Sequence, residues 1–186
     1  MKKNRHDNPR NLAILSQLAG VLDCSLARYL SNARPWCRRP YLLLGAVTRR
    51  LAHEHERYAE AIVQLLHARG HNVNSRTFPL EFTYYNDLSL EYLAPKVLDD
   101  QRRLIALAKA VVSELAGEHD YEAQRVIEEL LASLREYAAI LEELLAPHRI
   151  APTIPREWVA ADKIPSGSLQ RAKRTKAVAA ETLTAA

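Results

Sequence analysis

The sequence predicts an all-α protein built on four long helices. Apolar residues recur at three- and four-residue steps through most of the chain, the signature of amphipathic helix. Only five glycines and two phenylalanines stand against many Leu and Ala, a composition that argues against a β-sandwich. At 186 residues, 48% apolar and 26% charged, the chain is long enough for one well-buried core plus tails.

The first helix opens at Asn8-Pro9, where Asn can cap and Pro needs no amide donor. Leu15, Leu18, Leu22, Leu26 and Tyr29 then form one apolar stripe, with Asp23 beside it. Pro35 and Pro40 bracket a short connection in which Trp36 is expected to cover the bundle end. Helix two runs from about Tyr41 to Arg69 and stops at Gly70, a left-handed cap. Its stripe is Leu44, Val47, Leu51, Glu54/His55, Tyr58, Ile62 and Leu65, so its fourth step is polar. Residues 70–87 have no helical period and carry both phenylalanines, Phe78 and Phe82, with Tyr84 and Tyr85.

A loop of this length inside a compact domain normally has a task. Helix two would be roughly 43 Å long at 1.5 Å per residue, and this segment extended spans up to ~60 Å. It can therefore run back along the bundle and start helix three parallel to helix two, pinned by its aromatics. Helix three starts near Asn86-Asp87 and reads Leu90, Leu93, Val97, Gln101, Leu104, Ala108, Val111 and Leu115, with a kink or a short first segment expected at Pro95. Asp120 caps helix four, whose stripe is Ala123, Ile127, Leu130, Leu134, Tyr137, Leu141 and Leu144, ending before Pro147. The expected organisation is a disordered basic N-terminus (1–7), the bundle (8–147), and a Pro-containing linker with a disordered basic tail (148–186).

The formal charge of +4 is unevenly spread. Residues 1–10 carry +3 and residues 148–186 carry +4, which leaves the centre at −3. A basic face for nucleic acid is not indicated. No apolar run reaches the ~18 residues of a membrane span. Cys24 and Cys37 lack a Cys-x-x-Cys spacing, and there is no secretory apolar region at the start, so two reduced thiols in the cytoplasm are expected. Neither a Gly-x-Ser-x-Gly turn nor a Gly-rich phosphate loop occurs in the sequence.

Helix lengths, the crossover Gly70–Asp87 and the polar centre of helix two make residues 8–147 resemble the ferritin-like superfamily: a four-helix bundle with a long crossover between helices two and three. The resemblance is one of topology. Members of that superfamily that hold two metals carry a carboxylate on each of two helices and Glu-x-x-His on each of the other two. No Glu-x-x-His exists in this chain. A reduced site of Asp23, Glu54 and His55 can still be drawn at mid-bundle height, with Asp100 and Gln101 as its second layer and iron or manganese as the metal. The competing reading makes His55, Gln101 and a carboxylate a buried hydrogen-bonded cluster that fixes register, with no cofactor. His53, Glu56 and Glu60 fall on another face, with Arg49, and read as solvated pairs.

In the tail, Ile164-Pro-Ser-Gly-Ser-Leu169 followed by Gln170-Arg171 is similar to the targeting peptides of cargo proteins packaged in encapsulin shells. That likeness implies a partner groove taking Ile164 and Leu169, with Gly167 and Ser168 at the bend between them. Pro165 and Ser166 replace the usual spacers, and seventeen residues follow the motif. The functional expectation is a non-enzymatic or degenerate ferritin-like bundle serving as a scaffold or interaction protein, a homodimer through helices one and two. The rival is a metal-dependent redox protein on Asp23, Glu54 and His55. Either is compatible with shell cargo.

Overall fold

A computed structural model of the chain describes residues 8–73 and 76–146. The basic N-terminal segment 1–7 and the tail 148–186, with Ile164, Gly167, Ser168 and Leu169, lie outside the described residues. The described secondary structure is entirely helical, in five α-helices rather than four: α1 (Pro9–Asp23), α2 (Leu26–Ala33), α3 (Leu42–Ala68), α4 (Leu90–Gly117) and α5 (Tyr121–Leu145). No described helix is long and apolar enough to cross a membrane.

The fifth helix arises because the first predicted helix breaks after Asp23. Ser25 is extended and caps α2, its Oγ accepting from Arg28 N–H. Asp100 Oδ2, on α4, accepts from Leu26 N–H at 3.0 Å. A helix running straight through would consume both donors internally, so α2's orphan amides are answered by side chains instead. The stripe survives the break: Leu15, Leu18, Leu22 and Leu26 are all buried.

α1 and α2 pack on α3, α3 on α5, α5 on α4, and α4 on α1, which leaves α3 and α4 across the core from each other. Two contacts show that α3 and α4 run parallel. Trp36 O, just before α3, accepts from Leu90 N–H at the start of α4. At the other end, Arg69, which closes α3, is ion-paired with Asp120, just past α4, at 2.5 Å. Asp120 also caps α5 through Ala123 N–H. The crossover therefore does run back along the bundle, and Phe78 and Phe82 both pack on Tyr29 with ring centroids 5.5 Å apart. It carries a short 3-10 helix, Leu80–Tyr85, and α4 begins at Leu90 behind its Ser89 cap, later than Asn86-Asp87.

Three further expectations meet the structure. Gly70, with φ of +71°, follows α3 in the left-handed conformation that glycine adopts without a Cβ penalty. α4 is continuous through Pro95, so no separate short first segment forms, although the proline forfeits the bond to the carbonyl of Glu91. Trp36 does not seal the bundle end: it is 54% exposed, with the Arg38 guanidinium over its ring.

Candidate functional site: the polar layer around His55

Every predicted inward residue of α4, from Leu90 to Leu115, is buried, and one of them is Gln101. On α3, His55 is 1% exposed. Counting from their helix starts, His55 and Gln101 lie at similar heights in two parallel helices, which is how they meet. His55 Nε2 stands 3.1 Å from Gln101 Oε1, and Gln101 Nε2 donates to the carbonyl of Leu134 on α5 at 3.1 Å. Because the amide nitrogen is used on that carbonyl, the oxygen facing His55 is an acceptor, so Nε2 carries the imidazole proton. Nδ1 is then the acceptor, and Ser25 Oγ donates to it at 2.7 Å.

The result is one chain of hydrogen bonds across the bundle, from the α1–α2 break through α3 and α4 to α5. Burial and the Arg28 charge both disfavour an imidazolium here, burial more strongly, and the His55 pKa falls from 6.5 to about 4 despite the Gln101 bond. His55 is therefore neutral at pH 7, with both ring nitrogens engaged by protein partners. Asp100, next to Gln101, faces α2 instead; burial raises its pKa, opposed by the Leu26 N–H bond and Arg103.

The carboxylates drawn into the metal reading take other partners. Asp23, at the end of α1, accepts from Arg28 Nη2 at 2.9 Å. Glu54 accepts from Arg57 at 2.6 Å and from Ser133 Oγ, on α5, at 3.4 Å. Of the five residues in that reading, the structure joins His55 and Gln101 in direct contact. Among the described residues no three His, Cys, Asp or Glu side chains are gathered as a metal ion requires. The carboxylate expected in the alternative cluster is replaced by Ser25, which sequence reasoning missed. Its signal was present: a serine just ahead of Leu26 and Leu30 is a helix-cap signal, hidden by an apolar stripe that continues across it.

Comparison with known proteins assigns no family. No protein-family profile matches the sequence, and no curated protein matches it.

Proposed function

We propose that this chain is a ferritin-like helical bundle whose centre is closed by protein hydrogen bonds where metal-holding relatives place ligands, and that it works as a scaffold or interaction protein. The observation that carries this reading is the double engagement of His55 by Ser25 and Gln101. Metal binding through either ring nitrogen would break one of these bonds and orphan a buried partner, at about 1–3 kcal/mol. The parallel α3 and α4 joined by a long crossover support the ferritin-like assignment. For a partner surface, the support is at the α2–α3 connection, where Trp36, Tyr41 and Leu42 are 54%, 44% and 61% exposed. Trp and Tyr are enriched among the residues that anchor protein interfaces, and a second copy of the chain is the partner proposed.

Elemental analysis of untagged protein, expressed with iron and manganese supplied, tests the reading. It predicts metal far below one per chain. Near-stoichiometric iron or manganese that disappears in Glu54→Ala and His55→Ala would overturn it and make the protein a redox candidate. Sedimentation then tests the partner surface: Leu42→Arg should convert a dimer to a monomer.

A further inference from the structure

Turned roughly 100° around α3 from His55, at 3.6 residues per turn, a second polar region lines a cavity of about 430 Å³ between α1, α3 and the start of the crossover. Its apolar lining is Ala19, Ala59, Val63 and Val73, and its charged lining includes Arg28, Glu60 and Arg76. The charges differ in what they already hold. Arg28 is committed to Asp23 at 2.9 Å and to Glu56 at 2.5 Å. Among the described residues, Arg76 and Glu60 make no ion pair, with each other or with any other group.

Gly20 explains how Arg76 comes to lie there. It is buried inside α1, where glycine costs about 1 kcal/mol relative to alanine. A Cβ at this position would collide with Cδ and Nε of Arg76. The bare glycine therefore lets the arginine lie directly across the helix, at a position that helix propensity alone would give to alanine.

We propose that this cavity binds a small aliphatic amino acid, with its carboxylate on Arg76, its ammonium group on Glu60 and its side chain on the apolar lining. The inference stands independently of the scaffold reading. A guanidinium can take a carboxylate through two parallel hydrogen bonds. The Arg76 and Glu60 side chains are both solvent-exposed and hydrated on their own; a simple anion could pair only with Arg76, and a simple amine only with Glu60. A zwitterion answers both. The volume lies within the range of small-molecule sites, about 300–1,000 Å³.

The test is calorimetric titration of the full chain with L-leucine, with 4-methylpentanoate (no ammonium) and with 3-methylbutylamine (no carboxylate). L-Leucine should bind, and each truncated analogue should bind at least about tenfold more weakly. Arg76→Gln and Glu60→Gln should each weaken L-leucine by a similar factor, while Glu60→Gln leaves 4-methylpentanoate unaffected. Gly20→Ala keeps the fold testable: its helical signal and unfolding temperature should hold or rise, yet L-leucine binding should fall because the new methyl group displaces Arg76. The proposal is overturned if L-leucine produces neither heat nor a thermal shift at about 10 mM, a concentration that detects even millimolar affinity. Equal binding of all three compounds would also overturn it, as would wild-type affinity in a folded Gly20→Ala protein.

Discussion

Two polar regions share the same stretch of α3, and they have opposite fates. At His55 every polar atom finds a protein partner, in a chain running from Ser25 to the Leu134 carbonyl. One face away, Glu56 is held by Arg28, while Glu60 and Arg76 both line a cavity and make no ion pair among the described residues. The first region is closed: its hydrogen bonds join the break between α1 and α2 to α3, α4 and α5. The second places two solvent-exposed charges, Glu60 and Arg76, beside an apolar wall, the combination the proposed ligand would use. Sequence position alone does not separate them, since His55 and Glu56 are neighbours.

The largest effect expected is acid sensitivity of the closed region. The His55 pKa is depressed in the folded state, to about 4 from 6.5, so the unfolded chain binds the proton first. Stability is therefore full above pH 6.5 and falls as pH drops toward 4, by about 3 kcal/mol if the whole shift is expressed. Asp100, whose pKa is raised by burial, gains stability as it protonates and opposes the loss at the acid end. The difference between wild type and His55→Leu in urea unfolding from pH 7 to 4 isolates the histidine. A parallel dependence in both would contradict the closed layer.

Next in size is the relay itself. Gln101→Leu leaves the buried Nε2–H of His55 without an acceptor and should cost about 1–3 kcal/mol. Combining it with His55→Leu should recover most of that loss, because replacing both partners by apolar groups is nearly neutral. A double mutant with fully additive losses would show that the two side chains act separately.

A smaller effect, of opposite sign, is expected at Asn11. It is 1% exposed, and among the described residues neither of its amide atoms has a hydrogen-bond partner. Asn11→Leu should stabilise by about 1 kcal/mol in the same assay, a direct contrast with Gln101, where the same kind of substitution destabilises. Smallest of all, Glu60→Gln should change stability by less than about 0.5 kcal/mol, as befits an exposed residue with no ion pair among the described residues.

Much of the helical architecture was legible because one signal, the apolar period, dominates it. The stripe of α4 is buried at all eight predicted positions, Gln101 included, and the crossover is long enough for the parallel return that the Arg69–Asp120 and Trp36–Leu90 contacts display. The α1–α2 break was not legible from periodicity, because Leu22 and Leu26 stay in phase across it; the donors that make it stable are answered partly from Asp100, 74 residues away in sequence. The pairing of His55 with Gln101 could be anticipated, but the serine completing it required knowing where α1 stops. The cavity was invisible for a similar reason. Glu56 and Glu60 read as a solvated face with ordinary pairs, and Glu60 is indeed exposed while Glu56 pairs with His53 and Arg28; that Gly20 and Arg76, from two other segments, border the same hollow was not legible.

The most direct test of the account is the protonation state of the His55 ring, followed by long-range ¹H–¹⁵N NMR of imidazole-labelled protein across pH. The closed layer predicts a neutral ring with its proton on Nε2 throughout the physiological range, titrating near pH 4. A proton on Nδ1, or titration in the ordinary histidine range near 6.5, would contradict it.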